Sequence, residues 1–345
     1  MGEINDDTFS MCNWSIKRCG LGIELWMETA ACAYIASLLD YDRRYGGVMN
    51  DLDINRGGFY NGVRKALRCI PLADGIMESV VALLQLYHSD SIGSVQHQLV
   101  QKCQQVRMAT LEQSLSRQHL YWWRSLQNDE AGCWLEVMPI FAKMTMSNVN
   151  FATALRYRYF MRVEGHVDGA KCKCKKVLDS RGHHLASVCS YGGERIATHD
   201  GMKYEFNNIL RYCGLHTKME ERGAFQELDP NNNMRPDISV FNPTFTTAPK
   251  QLLDIAVTGT LTGFNTNGHQ LQNIGSSAQH MYNNKINHYA PHVIPNRFSF
   301  LPIIFESSGY MHADVKDLLL KVATLASDIK RITKRVLYKY FLKRL

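Results

Sequence analysis

With 345 residues, 45% of them hydrophobic and 21% charged, the chain is long enough for two or three domains and has an ordinary globular composition. The longest apolar runs, around residues 29–39 and 79–86, are too short to span a bilayer, and the acidic, polar opening 1–7 does not read as a secretory leader. A net charge of +7 suits a polyanionic partner. Ten cysteines, of which Cys172, Cys174 and Cys189 cluster, point to metal binding rather than disulfides in the expected reducing, intracellular setting.

Residues 21–127 read as helical. Ile23, Trp26, Met27, Ala30, Tyr34 and Leu38 fall along one broad helical face, and a second apolar stretch follows at 76–86. Residues 94–127 lack Pro and Gly. Val95, Leu99, Cys103, Val106, Leu111 and Leu115 recur there among many glutamines, which predicts one long helix or a helical hairpin. The cluster Tyr121-Trp122-Trp123-Arg124 could stack on bases, although such clusters more often anchor a core. A helix is expected over 148–162, with Ala152, Leu155 and Tyr159 inward and Arg156, Arg158 and Arg162 outward.

After the glycines at 165 and 169 come Cys172, Cys174, His183, His184 and Cys189. Three thiolates and one imidazole can close a tetrahedral Zn²⁺ site, with His184 as the ligand or His183 in its place. Lys171, Lys173, Lys175, Lys176 and Arg181 surround the site and suit a phosphate backbone. Thr198 is positioned to cap a helix running to Gly214, with Met202, Phe206, Ile209, Leu210 and Cys213 inward.

Two short strands follow, each carrying one aspartate. Side chains alternate along a strand, so Asp237 and Ser239 share one face and Ile238 and Val240 the other. Asp254 and Ala256 likewise oppose Leu253, Ile255 and Val257. If the strands pair, both carboxylates meet on one side of an apolar hairpin. Two such charges about 4 Å apart repel by roughly 4 kcal/mol at an effective dielectric near 20, so the pair tends to recruit a cation or hold a proton. Residues 277–289 then read as a helix whose packing stripe of Ala278, Met281, Tyr282 and Tyr289 includes Lys285. That lysine either snorkels to the surface or points at the aspartates. A buried strand at 298–306, an amphipathic helix at 315–326 and a basic amphipathic helix at 330–345 complete the chain. The last would suit nucleic acid, a membrane surface or an acidic partner.

The order Cys-x-Cys, Gly-His-His-Leu-Ala-x-x-Cys, Arg195…His199-Asp200, Arg-Pro-Asp237, Leu-Asp254-Ile-Ala-Val and Lys285…Tyr289 resembles the C-terminal part of non-long-terminal-repeat retrotransposon polyproteins. Those end in a zinc knuckle and a restriction-like endonuclease of the PD-(D/E)XK group. Upstream, Gly20-Leu-Gly-Ile23…Thr29-Ala-Ala, Trp134-Leu-Glu-Val-Met-Pro139 and Asn150-Phe-Ala-Thr-Ala-Leu-Arg156 look like the connector that follows the polymerase in such chains. The resemblance implies an α+β protein in four parts. These are a helical connector (1–164), a knuckle (165–194), a restriction-endonuclease-like core with a mixed sheet flanked by helices (195–328) and a basic helix (329–345).

By the same resemblance Asp237 and Asp254 would hold Mg²⁺, with Lys285 as the motif lysine, because Ala256 stands where Asp-x-Lys would place it. His199 would support the site. Cys172, Cys174, His184 and Cys189 would hold Zn²⁺, and Lys173, Lys175, Lys176, Arg181 and Arg195 would meet nucleic acid. The implied function is nicking of target DNA in the nucleus, with element RNA a further partner and no membrane. No polymerase motif with paired aspartates is present. The alternative is a nucleic-acid-binding knuckle protein whose nuclease fold is inactive.

Overall fold

The computed structural model describes residues 8, 11–13, 20–21, 26–45, 65–66, 69, 92–128, 130–138, 145–163, 169–189, 191, 193–226, 232–261, 273–293 and 297–345. They form two compact units, one over Gly20–Ser116 and one over Arg117–Leu345. The helix expected at 76–86 lies outside the described residues.

The first unit pairs α1 (Trp26–Arg44) with α2 (Ile92–Ser114). The buried stripe of α1 is Ala31, Cys32, Ile35, Ala36 and Leu39, packed on Val95, Leu99 and Cys103. This differs from the expected face, since Met27 is 71% exposed and Tyr34 is also exposed. Both stripes are apolar enough to bury. The one with alanines and a cysteine lets the helix axes approach, and there Cys32 and Cys103 bring their sulfurs to 4.0 Å.

The second unit opens with α3 (Arg117–Ser125), so the Pro-free stretch is broken at Leu115–Ser116 rather than forming one helix. Trp122 and Trp123 are each 1% exposed and anchor a core instead of offering rings to bases. The Trp122 indole donates to the Arg158 carbonyl at 2.9 Å, and Arg158 Nη1 donates to the Ala131 carbonyl at 2.8 Å. Arg158 ends α4 (Asn148–Arg158) and is buried, whereas Ala152 faces solvent, which reverses both expected orientations. A buried guanidinium is tolerated here because a backbone carbonyl accepts from it.

The architecture is α+β. Helix α5 (Gly193–Tyr212) precedes β1 (His216–Met219), β2 (Ile238–Phe241) and β3 (Lys250–Thr258). Helix α6 (Ser276–Tyr289), β4 (Phe298–Glu306), α7 (Ala313–Lys330) and α8 (Lys334–Arg344) follow. The sheet order is β1-β2-β3-β4. The first two pairings are antiparallel, and β3 runs parallel to β4. A parallel pair needs a crossover, which α6 supplies.

One sheet face presents Ile238, Val240, Leu253, Ile255, Ile303 and Phe305. Phe206, Ile209 and Leu210 of α5 and Val315, Leu318, Leu319 and Val322 of α7 cover it. The other face packs Leu252 and Phe300 against Tyr289 of α6 and Phe225. Helix α5 begins at Gly193, ahead of the Thr198 cap expected from sequence. The basic α8 is docked rather than free. Leu337, Phe341 and Leu342 join the core, and Arg344 Nε bonds Glu205 at 2.9 Å. Among the described residues no helix is long and apolar enough to cross a membrane.

Candidate metal site and acid–base cluster

The thiol and imidazole ligands converge. Cys172, Cys174, His184 and Cys189 each offer one ligand atom, and the four atoms lie within 4.8 Å of one another. Lys171 bridges Val177 across a tight turn, and Lys175 takes a positive φ of 68° within it. This turn brings the closely spaced Cys172 and Cys174 to one side. The partner half is held by Asp179, whose Oδ1 accepts from the His183 amide at 3.0 Å and whose Oδ2 accepts from the His184 amide at 2.7 Å.

Cys172 and Cys189 sulfurs are 3.5 Å apart, and Cys174 Sγ is 3.2 Å from His184 Nε2. A tetrahedral zinc with bonds near 2.3 Å to sulfur sets its sulfurs about 3.8 Å apart, so a small tetrahedral ion fits with slight expansion. The Cys174 backbone N–H, with His184 next, pulls the Cys172 thiol down to about 6, toward the ligating thiolate. The choice left open between the two histidines falls to His184. His183 is instead packed against Trp122 (4.6 Å between centroids), Tyr157 and Phe160, and burial pushes its ring down to about 4, so it stays neutral. Lys171, Lys173, Lys175 and Lys176 are exposed beside the cluster, as is Arg195 on α5. Arg181 is exposed too, but its guanidinium lies 4.3 Å over the Phe160 ring and donates to the Phe160 carbonyl.

The two aspartates also come together. The register pairs Ile238 with Leu253, so Asp237, one residue before β2, stands opposite Asp254. Asp237 Oδ2 accepts from the Ile255 amide at 2.7 Å, next to Asp254 in the chain. Each carboxylate meets a nitrogen-bearing side chain from a different helix. His199 Nε2 of α5 lies 3.2 Å from Asp237 Oδ2, and Lys285 Nζ of α6 lies 2.6 Å from Asp254 Oδ2. The bonds to Asp237 both use Oδ2 and leave Oδ1 outside them. Asp254 is 5% exposed, and Tyr289 donates to its Oδ1 at 2.8 Å while stacking on Phe300. Burial, reinforced by Asp254, raises the Tyr289 hydroxyl so that it remains a donor. Of the two roles open to Lys285, the ion pair is the one found, with the side chain 28% exposed.

Two residues that the sequence did not single out complete the cluster. Buried Lys203 lies 3.0 Å from Asp200 and also pairs with Glu220 of the β1–β2 turn, and Asp200 Oδ1 is 3.3 Å from His199 Nδ1. The hydrogen bond His199 donates to Asp237, partly offset by burial, raises the His199 pKa. The signal for Lys203 was a lysine four residues after His199 on the same helix face. The arrangement thus holds two carboxylates across the inner strands of the sheet, each facing a nitrogen donor from a different helix. No protein-family profile matches the chain, and a search of curated proteins finds no significant match.

Proposed function

We propose that this chain is a metal-dependent endonuclease of retroelement origin that nicks DNA by phosphodiester hydrolysis, with a Cys₃His zinc knuckle that helps bring nucleic acid to it. The observation that carries the reading is the pairing of Asp237 and Asp254 across β2 and β3, with His199 and Lys285 delivered to them from two separate helices. The mixed sheet with helices on both faces is also what a restriction-endonuclease-like core requires.

The donor set fits a hard divalent cation, because Mg²⁺ takes one or two carboxylates and completes its shell with water and phosphate oxygens. Asp237 and Asp254 would hold it, and when bound it would polarise the phosphoryl group and favour ionisation of the attacking water. Lys285 offsets negative charge beside Asp254 and can orient a water. His199, held between Asp237 and Asp200, keeps a proton available at the cluster edge. In the knuckle, Cys172, Cys174, His184 and Cys189 would hold Zn²⁺ and stiffen the loop that displays Lys173, Lys175 and Lys176. Those lysines, with Arg181 and Arg195, supply sequence-independent phosphate contacts.

The test is plasmid nicking. Purified protein with Mg²⁺ is expected to convert supercoiled plasmid to the open circle, and Asp237→Ala and Asp254→Ala to abolish this. Wild type and both variants behaving alike across metals would sink the nuclease reading. Salt-sensitive retention of DNA without cleavage would leave the knuckle as a binding module on an inactive nuclease fold.

A further inference from the structure

Helix α6, which carries Lys285 and Tyr289 to Asp254, is fastened at its other end by a side chain from β4. Its N-cap is Gly275, which has no side-chain acceptor for the free amides of the first turn. The Ala278 amide donates instead to Glu306 Oε1 at 2.9 Å, from the last residue of β4. Glu306 is 2% exposed, and the Ser277 amide and Thr260 hydroxyl also lie against its carboxyl.

The groups around it are uncharged at neutral pH. Ser277 and Ala278 face it from α6, and Thr260 from the segment after β3. Tyr121 of α3 senses its charge. His312, at the start of α7 and bonded through Nε2 to Gln279, is held neutral by burial. Burial accordingly raises the Glu306 carboxyl to about 7. Lys285 and Tyr289 lie seven and eleven residues beyond Ala278, on the same stripe of the helix. The axial position of α6, and with it the reach of Lys285, is therefore held by Glu306 together with the Tyr121–Ser276 and Ser277–Thr260 bonds at one end, and by the Tyr289–Asp254 bond at the other.

We infer that Glu306 is a positioning residue for the Asp254–Lys285 pair, its carboxyl accepting the Ala278 amide and fixing α6 along β4. Its consequence for catalysis rests on the nuclease reading; the anchoring does not. A carboxyl raised in the folded protein contributes stability that is complete below the unfolded value. That contribution is lost as pH rises from there through the folded one, so the anchor weakens as pH climbs towards about 7 and is weakest above it.

The experiment compares wild type, Glu306→Gln and Glu306→Ala by amide exchange over residues 276–289, by thermal unfolding between pH 6 and 8.5, and by plasmid nicking. Gln matches the neutral acid in shape and keeps the acceptor but cannot ionise. Protection of the first turn of α6 should fall in wild type from pH 6 to 8 beyond the intrinsic rate change. It should stay level in Glu306→Gln and be lost at both pH values in Glu306→Ala. The alanine variant should nick about ten- to a hundred-fold more slowly with little change in KM, and glutamine should restore the rate. Glutamine matching alanine, or alanine matching wild type, overturns the inference. If the alanine variant does not fold, the pH dependence of wild type against Glu306→Gln decides it. A wild type that fails to nick counts against the nuclease reading alone, because exchange still reads the anchor.

Discussion

Replacing Lys285 with methionine removes the charge that compensates Asp254 while keeping most of the aliphatic stem. The pair sits at 2.6 Å, with Asp254 8% and Lys285 28% exposed at the side chain. At an effective dielectric near 20 the gross attraction is about 6 kcal/mol, much of which offsets desolvation of the two ions. Breaking a fully buried pair costs about 3–5 kcal/mol, and the partly exposed lysine reduces this to about 2–3 kcal/mol for Lys285→Met. Asp254→Asn keeps an acceptor for the Tyr289 hydroxyl and frees Lys285 toward water, so its stability should lie within about 1 kcal/mol of wild type. The double variant should be more stable than the sum of the two losses, because no buried charge is then left alone. Thermal unfolding at neutral pH reads this at about 2–4 °C per kcal/mol for a unit of this size. Lys285→Met melting with wild type, or the two changes adding without coupling, would refute the pairing and with it the placement of α6.

Three further outcomes test other parts of the molecule. Purified protein should carry about one zinc per chain by elemental analysis. Cys174→Ser and His184→Ala should lower that content, whereas His183→Ala should keep the metal and lose stability through the Trp122–Tyr157–Phe160 packing. His199 has a raised pKa, so its stabilising contact with Asp237 is complete below the unfolded value near 6.5 and fades as pH rises through the higher folded value. The stability gap between wild type and His199→Gln should therefore narrow from pH 6 to pH 9 in melting experiments. Phe341 is fully buried, and Phe341→Ala should cost about 3–5 kcal/mol in urea denaturation if α8 is docked; a change below about 1 kcal/mol would mean a free tail.

The hairpin was legible because its information is local. Alternation along 237–240 and 252–257 assigns each residue to a face, and the observed register puts the two aspartates opposite each other as that alternation implies. Lys285 was legible for a similar reason, since a lysine in line with Ala278 and Tyr289 has to be paired or to reach solvent. The α1 stripe was not, because Ala30, Tyr34 and Leu38 are as apolar as Ala31, Ile35 and Leu39. Only the partner surface on α2 distinguishes the two sets. Arg158 misled in the other direction, because its burial depends on a carbonyl 27 residues away at Ala131.

The sequence by itself offered three cysteines and two histidines in one stretch, put each aspartate on a defined strand face and set Lys285 in line with Ala278 and Tyr289. Tertiary structure alone decided what engages them. Asp179 accepts from both the His183 and His184 amides, and the His184 ring is the one that meets the sulfurs. Lys203 and Asp200 brace His199, and Glu306 fastens α6 from across the sheet. The bonds that close the cluster join elements distant in the chain, His199 to Asp237, Lys203 to Glu220 and Ala278 to Glu306, whose partners no local period encodes. The faces of the two aspartates are thus set by local strand alternation, but the cluster around them exists only once α5 and α6 have been packed against the sheet.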